Sequence, residues 1–182
     1  VLERKGAISF MTLKALSYYD QIWVLDRKSL DYLKNIKEIK GKVKLTPNSI
    51  EVKDKVTILP KEFRDIAFIG NLIPEKGIFE LIEAVKRVKN NVRLHIVGGG
   101  TSEVINRIKI NAGNELDNKI MFHGKFSNNE AVLFMKSIDI LALPTYMQAE
   151  AFPISILEAM SLGKLVISTK RAAIQDMLTG LD

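Results

Sequence analysis

From Asp65 onward, short apolar runs alternate with stretches of helical period. Ile66-Ala-Phe-Ile69 reads as a buried strand, and Phe79, Leu81, Ile82, Val85 and Val88 then recur at helical spacing. Val92 to Val97 is the next strand, ended by Gly98-Gly99-Gly100, and a more polar helix carrying Val104, Ile105 and Ile108 follows. Lys119 to Phe122 is a strand that stops at Gly124, and Ser127 with Glu130 has capping-box spacing for the helix after it. Ile138 to Leu143 is a strand stopped by Pro144, Leu165 to Ser168 another, and a last helix starts near Arg171. Strands and helices alternating in this way predict an α/β fold, a doubly wound parallel sheet covered on both faces. Ligands of such sheets bind beyond the carboxyl ends of the strands. Asn71, the Gly98 loop, Gly124, Thr145 and Thr169 fall there.

The first part of the chain reads as a separate piece. Ile8 to Tyr19 is expected to be a helix, Ile22 to Leu25 a strand, Lys28 to Ile39 a helix, and Val43 to Leu45 a short strand. The polar stretch from Glu51 to Phe63, with Pro60 in it, reads as a linker. The expected division is residues 1–50, a linker over 51–64, and a main domain over 65–182.

The run from Glu150 to Met160 carries the strongest chemical signal. Seven residues separate Glu150 from Glu158, and Pro153 lies between them. Proline is tolerated in the first turn of a helix, so a helix is expected to open at Pro153 and close at Gly163. Glu158 then lies in its second turn and Glu150 on the loop before it. Carboxylates suit sugar hydroxyls, and the N–H groups of a helix start suit phosphate oxygens. The plainer reading is a helix with an exposed acid in each of two turns.

Gly70-Asn-Leu-Ile-Pro-Glu-Lys76-Gly77 also joins a strand to a helix. Its glycines allow close backbone approach, and Lys76 can neutralise phosphate; a plain turn with a solvated lysine is the alternative. In the Gly98 loop, Glu103 takes the sixth place of a dinucleotide fingerprint, so a flexible turn lining a cleft is preferred to a nicotinamide site. His95, inside a strand, is expected to be structural, and His123, at a strand's end, can reach a ligand. No histidine pair has metal-ligand spacing.

Composition limits the class. The chain of 182 residues is 47% hydrophobic and 26% charged and has no cysteine, which excludes disulfides and thiolate metal sites. That suits a cytoplasmic protein, and no apolar run approaches the ~20 residues that span a bilayer. The net charge of +6 is concentrated in lysines such as Lys34, Lys37, Lys40, Lys42 and Lys44. A solvated basic face explains them; attraction to a nucleotide sugar or an acidic membrane surface is the functional alternative. Basic and aromatic residues do not interleave as nucleic-acid platforms require, so no nucleic acid is expected.

Taken in order, Gly70 to Gly77, Gly98 to Gly100, Phe122-His-Gly124, Ala142-Leu-Pro-Thr145, the two glutamates with Phe152-Pro153, and Leu157-Glu-Ala-Met160 resemble the C-terminal, donor-binding domain of family-four retaining glycosyltransferases of the GT-B fold. Residues 1–50 look like the tail of their N-terminal, acceptor-side domain. The resemblance implies a hexosyltransferase acting from a nucleotide-diphosphate sugar on a glycan, lipid-linked or small-molecule acceptor, in polysaccharide or glycolipid synthesis. It implies no cofactor or bound metal, and a cytoplasmic place with peripheral membrane contact. Glu150 is the implied catalytic residue. Gly70, Asn71, Lys76, Phe126, Phe152, Pro153, Ile154 and Glu158 are the implied donor-binding residues: Glu158 on the ribose, Lys76 on the diphosphate, the backbone near Phe126 on the base. Two positions depart from the pattern. Asn71 stands where the family usually has arginine, and Ala172-Ala173 with Asp176 where it often has paired glycines and a glutamate. The chain is expected to be a piece of a longer enzyme, inactive by itself. A non-catalytic nucleotide-binding module, or another GT-B enzyme such as an epimerase, is the alternative.

Overall fold

A computed structural model describes residues 10–51, 62–148, 150 and 152–179. The expected linker falls largely outside them. The chain forms two compact units, one of Val1–Ser49, Gln148–Pro153 and Lys170–Asp182, the other of Ile50–Met147 and Ile154–Thr169. This grouping differs from the contiguous division 1–50, 51–64 and 65–182.

The first unit contains α1 (Phe10–Ser17), β1 (Ile22–Val24), α2 (Arg27–Lys34), β2 (Val43–Leu45) and α7 (Ala172–Thr179). β1 and β2 pair in parallel. Val24, Leu33, Ile39 and Val43 form its buried core, with Leu13, Leu16, Ile22, Leu30 and Ile36 packed around them. The Asp26 side chain caps α2 by accepting from the Ser29 N–H. α2 ends at Lys34, short of the expected Ile39, because the chain turns at Asn35 and brings Ile39 into the core. α7 joins this unit because it packs on α2, where Asp176 accepts a 2.7 Å hydrogen bond from the Arg27 N–H. Lys34, Lys37, Lys40 and Lys44 are exposed, whereas the Lys42 ammonium donates to the Ser17 carbonyl.

In the second unit, β3 (Asp65–Ile69), β4 (Arg93–Val97), β5 (Ile120–Gly124), β6 (Ile140–Leu143) and β7 (Leu165–Ser168) form one parallel sheet in the order β5-β4-β3-β6-β7. The intervening helices are α3 (Ile78–Arg87), α4 (Ser102–Ala112), α5 (Asn128–Met135) and α6 (Ile154–Ser161). The β3–β4–β5 connections run one way across the sheet and β6–β7 the other. Right-handed crossovers therefore place α3 and α4 on one face and α6 on the other. The core is Phe68, Leu94, Ile96, Ile120 and Leu141 from the strands, with Ile78, Ile82, Ile108, Met135 and Ile156 from the helices, all essentially without exposure.

Local signals set the element ends. Ser127 and Glu130 form the expected capping box, with the Ser127 N–H and hydroxyl each donating to Glu130 Oε2 at 2.7 Å. Ser127→Ala is expected to lower the melting temperature by about 2–4 °C, read by circular dichroism. α6 starts at Ile154, one residue beyond the expected Pro153. Its end is a Schellman motif, with Lys164 N–H on the Ala159 carbonyl and Gly163 N–H on that of Met160. β6 starts at Ile140, two residues later than expected, although the Asp139 N–H already donates to the Asp65 carbonyl and the Asp139 carbonyl accepts from the Leu165 N–H. The expected start of the first helix at Ile8 lies outside the described residues; the remaining bounds agree or shift by one or two residues, as element ends do.

Candidate functional site

The strand order reverses between β3 and β6. At such a switch point the loops leaving the two strands part and open a crevice at the carboxyl edge of the sheet. The loop after β3 is Gly70 to Gly77. Its backbone continues the ladder past the strand, with Gly70 N–H on the Val97 carbonyl and Leu72 N–H on that of Gly99. Asn71 is exposed. Pro74–Lys76 is one 3₁₀ turn, closed by Gly77 in the left-handed region at φ 81°.

The loop after β6 holds that turn in place. Thr145 is fully buried, and its hydroxyl donates to the Glu75 carbonyl at 3.2 Å. The Tyr146 N–H donates to the same carbonyl at 2.9 Å. The Thr169 hydroxyl, just past β7, donates in turn to the Thr145 carbonyl. Sequence reasoning put both threonines at strand ends without a task; their task is to fix the turn that carries Lys76. The Gly98 loop is a tight fit more than a flexible lining: a Cβ on Gly98 would stand 1.9 Å from the Gly70 carbonyl oxygen.

Glu158 lies in the second turn of α6, as expected, and is half-buried. Its carboxylate has no hydrogen-bond partner among the described residues. Burial pushes its pKa above the usual carboxylate value. A carboxylate held partly out of water without a partner is the kind of group a ligand with hydroxyls would relieve. Ile154, the first residue of α6, is half exposed.

In the first unit, Glu150 is 6% exposed, the one buried acid among the described residues. Phe152 and Pro153 are buried beside it in sequence, and the Asn48 amide donates to the Phe152 carbonyl at 3.0 Å. The loop that carries Glu150 is thus tied to the segment after β2. The implied donor-side residues divide accordingly: Gly70, Asn71, Lys76, Phe126, Ile154 and Glu158 belong to the second unit, and Glu150, Phe152 and Pro153 to the first.

Phe126 follows β5 and stands among rings, 5.6 Å from Phe134 and 5.9 Å from His123 between centroids. The histidines form a cluster that sequence reasoning did not join. His95 Nε2 lies 2.9 Å from Asp65 Oδ1, and His95 Nδ1 lies 3.0 Å from His123 Nε2. The signal was present in the alternation of the strands: Asp65 pairs with Arg93 and Ala67 with His95, so the side chains of Asp65, Arg93 and His95 share a face. Among the described residues no group of three or more acidic or histidine side chains is arranged to hold a metal ion.

A five-stranded parallel sheet with a switch point between β3 and β6 defines a doubly wound α/β protein, a class whose ligands bind at the carboxyl edge. The chain belongs to the glycosyl transferases group 1 family, whose pattern matches residues 49–180. It is 33% identical over 108 residues to an uncharacterised glycosyltransferase of Methanocaldococcus jannaschii, covering 57% of this chain and 27% of that one. It is 29% identical over 111 residues to a putative teichuronic acid biosynthesis glycosyltransferase of Bacillus subtilis, covering 61% and 26%. The fold is that of HepE from Anabaena, solved in complex with UDP and glucose, with a TM-score of 0.76 at 18% identity over 92% of this chain and 50% of that one. The architecture is thus the GT-B type of family-four-like glycosyltransferases, chiefly its C-terminal domain. The chain spans about a quarter of the length of these curated relatives and half of HepE. No helix among the described residues is long and apolar enough to cross a membrane.

Proposed function

We propose that this chain is the donor-side part of an enzyme that transfers a hexose from a nucleoside-diphosphate sugar to an acceptor hydroxyl with retention of anomeric configuration. The bond from the sugar's anomeric carbon to the diphosphate breaks, the diphosphate leaves with the electron pair, and the acceptor oxygen forms the new bond as its proton passes to the departing diphosphate. The observation that carries the reading is Glu158: a partly desolvated, unpartnered carboxylate in the second turn of a helix that follows the switch-point crevice. Glu158 takes the ribose hydroxyls. Lys76, with the N–H groups at the start of α6, takes the diphosphate, whose growing negative charge is the main object of catalytic stabilisation. The backbone at Phe126 takes the base. Ile154 lines the donor, and in the other unit the family resemblance assigns Phe152 and Pro153 to the donor and Glu150 as the catalytic carboxylate.

The cationic and N–H groups serve the diphosphate without a metal ion. The acceptor is a glycan or a lipid-linked glycan, in line with the teichuronic acid relative, and the exposed lysines of α2 and its following turn suit an anionic membrane surface on the cytoplasmic side. HepE's complex with UDP supports a uridine nucleotide first among the candidates. Asn71 favours a second reading, a module that binds nucleotide without turnover, because it brings a neutral amide where the family resemblance leads one to expect arginine.

Calorimetric titration of the chain with UDP, GDP and ADP tests the reading. One of the three is expected to bind; no binding by any, with circular dichroism showing a folded chain, overturns it. Glu150→Ala in the full-length protein separates the two readings: an enzyme loses transfer, and a binding module has none to lose.

A further inference from the structure

Asp65, His95 and His123 stand in line across three neighbouring strands. Asp65 opens β3, His95 is central in β4, and His123 is the penultimate residue of β5, at the carboxyl edge. Asp65 also receives the Arg93 guanidinium twice, Nε on Oδ1 at 2.8 Å and a terminal nitrogen on Oδ2 at 2.9 Å. α5 lays Phe134 against both imidazoles, with centroids 5.5 Å from His95 and 5.0 Å from His123.

The hydrogen-bond inventory fixes the protons. An ionised carboxylate only accepts. Burial raises the Asp65 pKa, but the hydrogen bonds and charges of Arg93 and His95 outweigh it and hold the group below its usual value. His95 Nε2 therefore carries a proton. In neutral His95, Nδ1 is then bare, and its 3.0 Å contact requires the proton of that bond to sit on His123 Nε2. The other nitrogen of His123, Nδ1, is left with a lone pair and no partner among the described residues, on an exposed ring.

We propose that Asp65, His95 and His123 form a proton relay, and that His123 Nδ1 is a ligand contact at the carboxyl edge whose hydrogen-bonding sense the relay sets. With the relay neutral, Nδ1 accepts, and it suits an N–H of a nucleotide base. A proton arriving at Nδ1 displaces the one on Nε2 into the bond to His95 Nδ1. His95 becomes the imidazolium facing Asp65, and His123 is left neutral with Nδ1 now a donor. One proton enters and nothing else is consumed. His123 is then a specificity-determining contact, and His95 and Asp65 are positioning residues. This deepens the nucleotide-sugar reading and rests on it for the ligand, but not for the relay itself.

The charged groups facing the pair are Asp65 on β3 and Arg93 on β4, with Asp139 acting on Arg93 from the start of β6; α5 and the loop after β5 contribute Phe134 and Phe126. Burial, and then repulsion from His95, lower the His123 pKa, which favours the neutral, accepting form near neutrality. Nucleotide sugars are the right probes, because their diphosphate diesters do not titrate in this range. Affinity for the preferred one of UDP-glucose, GDP-mannose and ADP-glucose is expected to rise with pH from 5 to about 7, by at most tenfold per unit for one proton, and then to level off. His123→Gln should flatten the profile, His95→Gln should move its midpoint, and Asp65→Asn should move its midpoint to lower pH. Binding that is independent of pH, or equally pH-dependent in His123→Gln, overturns the ligand contact. If no nucleotide sugar binds at any pH, the contact falls with the nucleotide reading. Histidine nitrogen chemical shifts of the free chain decide the relay separately. Both rings are expected as Nε2–H tautomers at pH 8, with His123 gaining an Nδ1 proton on acidification; an Nδ1–H tautomer of His123 at pH 8 overturns it.

Discussion

Glu158→Gln is expected to make the free chain more stable at neutral pH and to cost it most of its nucleotide affinity. The first half follows from linkage. Burial raises the folded pKa of Glu158 above its unfolded value, so the folded state binds more protons between the two, and stability falls as pH rises across that interval. Above the folded value the full deficit persists. Glutamine keeps the shape and removes the charge, so the deficit disappears. The gap in melting temperature between variant and wild type should therefore close as pH falls through the folded value toward the unfolded one. The second half follows from what the carboxylate is for. Hydrogen bonds to a charged group are worth roughly 1.5–3 kcal/mol, so titration calorimetry should read an affinity roughly ten- to a hundredfold weaker. A destabilised variant would mean that the carboxylate is held by the protein, and unchanged affinity would remove it from the ribose. Stability and function opposing each other at one residue is what a strained binding group predicts.

Glu158 was legible in the sequence because its position depends on one helix and its start, and Pro153 marks that start within a residue. The capping box at Ser127 and Glu130 and the strand Leu165–Ser168 were legible for the same reason: they depend on local spacing. What depends on tertiary pairing was not. Leu30, Leu33 and Ile36 continue a helical period, yet the chain leaves the helix at Asn35 because Ile39 fills the core beside Val43 more fully from a turn. α7 looks like the next helix of the main sheet, but Asp176 ties it to the start of α2. His95 reads as a buried strand residue until the β4–β5 register sets its ring against His123, with an irregularity between Ile96 and Val97 that no spacing rule announces. The Phe152 carbonyl likewise accepts from the Asn48 amide, a contact between positions 104 residues apart. Chemistry was readable where one element supplies it, and unreadable where two distant elements must first meet.

Gly77→Ala is expected to be strongly damaging at the turn that carries Lys76. Gly77 joins the Lys76 turn to α3 at φ 81°, a conformation that costs an L-residue roughly 1–2 kcal/mol. A Cβ there would also stand 2.2 Å from the Pro144 carbonyl oxygen and 2.8 Å from its carbon. Those are backbone atoms, and Pro144 leads directly into Thr145, which holds the Glu75 carbonyl. The loops after β3 and β6 can then separate only by breaking the contact that positions Lys76. Overpacking of this kind adds roughly 1–3 kcal/mol, a large share of the ~5–15 kcal/mol that holds a domain folded. At about 2–4 °C per kcal/mol, the melting temperature should fall by on the order of 10 °C, and nucleotide affinity should fall with it as Lys76 shifts. Gly124→Ala is the comparison that separates the two causes. Gly124 also has positive φ, 74°, but its Cβ would meet nothing within 4 Å, so only the backbone cost applies and the loss should be less than half as large. Equal losses at the two positions would show that conformation alone sets the cost and that the loops after β3 and β6 have room to move apart.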